Sequence, residues 1–337
     1  MANTTFKGTV RAEGGLSVIS TADATGVETT HTSISSTTGN TSIGGTLAVT
    51  GATTLTGATT ANNTVTISGA KGINRTARAI DRVYLEEFFL QRPALNAVNI
   101  IDPDADNASA LAATQAANKN FEILGTNAST DDVTFSATRG GVELTLDGAD
   151  NDQIIILPHL DTNQTAWTGT KWGSENQTEW ECLITTGAAI TNTCIWAGLK
   201  LTNTPTIATD ADQAYFIYAT DDDLGTITTQ ANWHFAYSVG GTDYLSDLNL
   251  AVAANTIYHL KIIIDSDRKP AAFINGTQYS LTSTATGGGV DTAAGTTLGS
   301  ALTDDKDFIP YIGIQALAAE AKTLHVGYEA INRYMYE

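Results

Sequence analysis

The chain reads as a mainly β protein: a thin repetitive front, one short helix and a β-sandwich behind them. Three observations predict this. A six-residue period runs through Gly39–Gly69. Short alternating apolar runs, separated by turns, fill the second half. The composition is rich in Thr, Ala, Asn and Gly, which favours strands and turns over long helices, while 42% hydrophobic residues in 337 leave material for a core.

Charge divides the chain the same way. Residues 1–98 carry seven Lys and Arg against six Asp and Glu, and the remainder carries ten against thirty, out of a net charge of −19. An acidic surface keeps a protein soluble and disfavours nucleic acid and anionic membranes as partners. The nearly neutral front is better suited to docking. The opening Met1–Phe6 has no basic n-region and no apolar h-region, so the expectation is a chain made in a cytoplasm without a secretory leader or membrane insertion. Two cysteines, Cys182 and Cys194, make neither a disulfide framework nor a zinc pattern. They are expected to be reduced core residues, with oxidation open to them outside a cell.

Residues 1–28 are poor in core formers and are ordered only if something supports them. They read as an attachment arm, with Phe6, Lys7, Val10, Arg11 and Leu16 as the gripping side chains, or else as a loose tail. Residues 29–71 follow as a shaft. Positions 39, 45, 51, 57, 63 and 69 are Gly, Gly, Gly, Gly, Asn and Gly, and Ile43, Val49, Leu55, Ala61 and Ile67 each stand two places before one of them. Gly and then Asn are the residues that turn most cheaply into left-handed conformations. A fixed period marks a stacked architecture in which one repeat cannot bury its apolar face alone. One small apolar residue per repeat is too little core for a single chain. The shaft is therefore expected to be an intertwined homotrimer, with Ile43, Val49, Leu55 and Ile67 along its axis.

Residues 72–93 change character. Asn74 suits a helix N-cap, and Ile80, Tyr84 and Phe88 recur at i, i+4, i+8, which predicts a helix over Arg75–Leu90 ended by Pro93. Its apolar stripe is wide enough to require packing on partner helices or on the next domain. Residues 94–120, with Asp102-Pro103-Asp104, read as a linker.

Residues 121–337 contain the predicted sandwich. Its strands are expected over Val133–Ala137, Val142–Leu146, Gln153–Leu157, Thr178–Thr185, Ile195–Leu201, Ala214–Ala219, Trp233–Val239, Thr256–Ile264, Ala271–Ile274, Ile309–Gln315 and Thr323–Ile331. Trp180, Cys182 and Ile184 share a face by period two. A turn near Ala188 would set Trp180 opposite Trp196 and Cys182 opposite Cys194 in one hairpin. Asn275-Gly276 between apolar runs is a strong hairpin signal.

Enzyme motifs are missing from the sequence: it holds no Gly-x-Ser-x-Gly, no His-Glu-x-x-His and no phosphate-binding Gly-rich loop. His159 and Asp161 form an acid–base pair or a structural one. No cofactor is called for. Asp221, Asp222 and Asp223, with Asp210 and Asp212 upstream, read as a weak Ca²⁺ candidate or as a solvated acidic turn. Trp167, Trp172 and Trp233 are either sugar-stacking residues or core.

Two resemblances extend this reading. Tyr258 to Asp265 followed by Ala272-Phe273-Ile274-Asn275-Gly276 resembles the strand–turn–strand pattern of concanavalin-like (laminin-G-like) jelly-roll domains, over about residues 121–337. The block Leu157–Trp167 with Trp172-Gly173 and Trp180-Glu181, the opening Met1–Phe6 and the Gly-Thr-Leu-x-Val-Thr-Gly-Ala repeat resemble virion structural proteins of marine and cyanobacterial tailed phages. That resemblance implies a protein of the virion surface. One form is a trimeric capsid decoration or cement protein anchored on the major capsid protein, or another virion protein, by its N-terminal region. The other is a tail fibre whose jelly-roll head binds host surface glycan.

Overall fold

The computed structural model describes residues 16–21, 28–34, 41–43, 82–90, 93–95, 118–158, 172–202, 204–221, 227, 229–285 and 290–335. The chain divides into two compact units, Met1–Asn74 and Arg75–Glu337.

In the first unit, β1 (Leu16–Thr21), β2 (Glu28–Ile34) and β3 (Thr41–Ile43) form one antiparallel sheet in that order. Leu16 pairs with Ile34, Thr21 with Glu28, and Ile34 with Thr41. The expected boundary between arm and shaft at residue 28 lies at the first residue of β2, which takes its ladder partner from the preceding segment. Of the arm and shaft residues, Leu16 lies in β1 and Ile43 ends β3. Phe6, Lys7, Val10, Arg11, Val49, Leu55 and Ile67 lie outside the described residues, as does most of the repeat.

The second unit begins its strands with β4 (Arg82–Glu87), β5 (Pro93–Leu95) and β6 (Asn118–Leu124). Next come β7 (Val133–Phe135), β8 (Val142–Leu146), β9 (Gln153–Pro158) and β10 (Trp172–Gly173). The middle of the unit holds β11 (Glu179–Thr186), β12 (Thr193–Lys200), β13 (Gln213–Ala219), β14 (Asn232–Val239) and β15 (Thr242–Ala251). It ends with β16 (Ile257–Ile264), β17 (Pro270–Ile274), β18 (Thr277–Tyr279), β19 (Val290–Asp291), β20 (Asp307–Ala316) and β21 (Lys322–Tyr334). They make two sheets. The ten-stranded one runs β19-β15-β14-β13-β12-β20-β9-β6-β5 with β10 beside β20. The eight-stranded one runs β18-β17-β16-β11-β21-β8-β7 with β4 also on β21. The architecture is the predicted β-sandwich.

Three expectations are corrected. The predicted helix is a strand where it is described: Arg82–Glu87 pairs antiparallel with Tyr334–Glu329. Strand β21 is 13 residues long and β8 covers only its first half, so β4 takes the open edge of the second half. That ladder outweighs local helix preference. Ile80 lies outside the described residues, Tyr84 is half-buried on β4, and Phe88 is 49% exposed just after it. The linker expected over 94–120 overlaps β5 and β6, so the sandwich starts at Arg82 rather than at residue 121. Finally, β11 and β12 are not a hairpin. Trp180 pairs with Ile262 and Ile331, and Trp196 with Ile217 and Gly313, in opposite sheets. Cys182 and Cys194 accordingly belong to different apolar clusters.

The main core lies between the sheets, around Trp172, Trp180, Trp233, Phe216 and Phe235. A second cluster covers the far face of the ten-stranded sheet, with Trp196, Tyr215, Ile217 and Tyr311 beside Ile207 and Ile227. The central strands β12 and β13 are therefore buried along their whole length, whereas β16 alternates buried and open positions. Burial on both faces reads as a continuous apolar run, and burial on one face as alternation. The Asn275-Gly276 hairpin is as expected, with φ of 52° and 80°, the left-handed pair that a type I′ turn requires.

A candidate interaction face on the eight-stranded sheet

The alternation of the eight-stranded sheet leaves its outer side open, and four strands, β16, β11, β21 and β4, populate it. Cross-strand register places the side chains in rows. His259, Leu183 and Tyr328 form one; Lys261, Glu181, Ala330 and Glu86 the next; Ile263, Glu179, Asn332 and Tyr84 a third.

These groups are tied together. Lys261 Nζ lies 3.1 Å from Glu179 Oε2, and the Arg82 guanidinium 3.5 Å from Glu179 Oε1. Arg82 also bonds Asn332, donates to the Gln177 carbonyl at 2.7 Å and sits 4.3 Å over the Tyr334 ring. His259 Nε2 is 3.1 Å from Glu181 Oε2. The Tyr328 hydroxyl stands 3.0 Å from Glu181 Oε1 and 3.1 Å from Glu86 Oε1. A phenol has one proton, so it serves these two carboxylates one at a time. Burial alone would raise the Glu181 carboxyl; the hydrogen bond and charge of His259, the charge of Lys261 and the Tyr328 hydroxyl overcome it and hold it at about 2. The Phe88 ring lies 5.0 Å from that of Tyr328, and Leu183 and Ile257 are 37% and 56% exposed beside them. The face thus offers fixed acceptors, donors and an aromatic pair.

Other expected site residues are placed differently. Trp172 and Trp233 are buried in the main core, at 1% and 0% exposure, so they cannot stack on a sugar; a sandwich uses its Trp as large core residues. Trp167, His159 and Asp161 lie outside the described residues, as do Asp222 and Asp223. Asp221 is half-buried. The upstream members of that Ca²⁺ candidate are engaged elsewhere. Asp210 Oδ2 accepts from the Leu201 and Thr202 amides at 3.1 Å and pairs with Lys200 at 3.2 Å. Asp212 Oδ1 accepts from the Thr303 amide at 3.0 Å. Among the described residues the carboxylates that do converge are Glu175, Asp304 and Asp305, half-buried to exposed, with Arg268 3.6 Å from Asp304.

Sequence reading missed the outer-face set. Glu179, Glu181, His259 and Lys261 sit at the open positions of alternating strands, which is their visible signal. Their convergence with Tyr328 depends on β21 pairing with β11, and with Glu86 on β4 joining β21. His234 is buried, its Nδ1 3.1 Å from the Asn232 carbonyl, and burial lowers its pKa, which suits a neutral structural imidazole.

No protein-family model matches the chain, and no curated protein matches it. Solved structures with a similar fold include a protein of unknown function, SO2946, from Shewanella oneidensis MR-1, at 11% identity and a TM-score of 0.42, covering 76% of this chain and 88% of that one. The carbohydrate recognition domain of Emp46p in a potassium-bound form matches at 8% identity and a TM-score of 0.42, over 65% and 90% of the two chains. A structure of botulinum neurotoxin type C, whose cell entry is described as dependent on two ganglioside molecules, matches at 10% and 0.38, over 64% of this chain and 43% of that one. Likenesses this weak bring no function with them. Among the described residues no helix is long and apolar enough to cross a membrane.

Proposed function

We propose that this chain is a structural protein of a tailed-phage particle: a trimeric capsid decoration protein, anchored on the major capsid protein by its N-terminal region, with the sandwich directed outward. The observation that carries the reading is the division of the chain at residue 74. Before it lies a unit with no charged residue from Thr29 to Ala70 and a six-residue period; after it lies an acidic sandwich. Three weak attachments on one stalk act together, so avidity replaces single-site affinity. Virions lacking the protein are expected to lose heat resistance while adsorbing normally. Lost adsorption with unchanged heat resistance would reject the proposal.

The outer face of the eight-stranded sheet supports a second reading, a tail fibre whose head binds a host surface glycan. The exposed Phe88 ring, packed on the buried Tyr328 ring beside Glu181, His259 and Lys261, sets one aromatic surface next to fixed hydrogen-bonding groups. Binding of the full chain to a glycan array, lost on Phe88→Ala, would favour this reading; an array without signal would remove it.

A further inference from the structure

We infer that Glu175, Asn176, Asp304 and Asp305 form a calcium site that ties the segment after β10 to the loop before β20. The inference is independent of the particle reading above.

Two pieces of backbone supply the ligands, and hydrogen bonds hold both in place. Strand β10 pairs with the start of β20, Gly173 opposite Asp307. The Ser174 amide donates to the Lys306 carbonyl at 2.9 Å, and the Ser174 hydroxyl to the Thr303 carbonyl at 2.7 Å. The Thr303 amide donates in turn to the buried Asp212 carboxylate at 3.0 Å. On the other piece, the Asn176 carbonyl accepts from the Tyr334 amide at 3.1 Å. With residues 303 and 306 both fixed on Ser174, the two aspartates between them meet Glu175. One carboxylate oxygen from each of Glu175, Asp304 and Asp305 lies within 4.8 Å of the other two.

Converging carboxylates are common on an acidic surface; Asn176 is what sets this group apart. It is 6% exposed, yet among the described residues its side chain has no hydrogen-bond partner. A buried amide left so is costly, and an ion or a water is the usual answer. Its oxygen is aimed at the acidic group. The point where a Cβ on Gly173 would stand is 2.2 Å from Glu175 Oε1 and 2.5 Å from Asn176 Oδ1, so both oxygens face one small space that the glycine leaves open.

The donor set selects the ion. All four ligands are oxygens, which suit a hard cation rather than zinc. Side chains drawn from two separate segments suit the adaptable coordination of Ca²⁺ better than the strict octahedron of Mg²⁺. Arg268 stands 3.6 Å from Asp304 Oδ1, and a carboxylate has a second oxygen to give.

Calorimetric titration of the full-length protein, stripped with EDTA, tests this. CaCl₂ is expected to bind with a Kd of roughly 0.1–1 mM, as in the weaker natural sites, and to raise the melting temperature. The double variant Asp304→Asn, Asp305→Asn changes two exposed positions. It is expected to melt like the stripped wild type and to bind CaCl₂ at least about tenfold more weakly, since affinity follows ligand charge. Asn176→Asp keeps the oxygen, adds a charge and is expected to bind more tightly; should the double variant melt early, this variant decides alone. A wild type that binds no CaCl₂, a well-folded double variant that binds it equally, an Asn176→Asp affinity no tighter than the wild type's, or equal affinity for MgCl₂ would each overturn the proposal.

Discussion

Glu329 is buried in the main core with one oxygen accepting from Trp180 Nε1 at 2.8 Å and the other unpartnered. Burial first, and the charge of Glu87 in addition, push its carboxyl up to about 8 against the opposing Trp180 bond. An unfolded glutamate titrates near 4.3. Folding therefore takes up a proton between those values, so this group's contribution is fully present below about pH 4.3 and is lost as pH rises toward 8. Glu329→Gln keeps the acceptor for Trp180 and removes the titration. Denaturant unfolding at a series of pH values should show the variant gaining on the wild type from pH 5 to 8; parallel profiles would refute the assignment. Lys200 is buried too, held by Asp210, Gln213 and the Thr206 carbonyl, with its ammonium 4.6 Å over the Tyr215 ring. Burial pulls it down to about 8, while Asp210 resists. Lys200→Met strands the buried Asp210 carboxylate and should cost about 3–5 kcal/mol, read as a lower denaturation midpoint. Adding Asp210→Asn should recover part of that loss.

Strands show which parts of the fold were legible in the sequence. Tyr258, Leu260, Ile262 and Ile264 alternate with open positions, so β16 could be read directly. Asn275-Gly276 announced its hairpin because few residues other than Asn and Gly accept two successive left-handed positions. Strand β15 escaped notice because Asp243 and Asp247 interrupt its apolar pattern. Asp247 is buried, accepting from Asn232 and from the Asn249 amide, and the turn before it, Gly240-Gly241, was the available signal. Strand β4 escaped for a different reason. Val83 and Leu85 pack inward while Arg82, Tyr84 and Glu86 carry the outer-face contacts, yet the spacing of Ile80, Tyr84 and Phe88 also fits a helix. Only a partner some 250 residues away decides between the two, and with it went the candidate face. The strand assignment predicts that Glu86→Cys with Ala330→Cys, opposite one another in the ladder, will form a disulfide on mild oxidation, since cross-strand Cα atoms lie about 4.5–5.5 Å apart. Two free thiols by mass spectrometry would argue for another conformation. The sheet to which β11 and β12 belong was equally beyond local reading, because period two defines a face without naming the neighbour.

At the scale of the molecule, the sandwich has a large core of its own, whereas the front offers one small apolar residue per six. Stability scales with buried apolar area, so the head holds the larger store of it, and the proposed trimer is what would supply the front with more. In the assembly proposed above, copies of the front share their apolar residues along an axis. The most direct test is the mass of the purified full-length protein by light scattering across a dilution series. The account predicts three times the 35.3 kDa chain, unchanged on dilution. A compact 35.3 kDa species with an ordered front would contradict it.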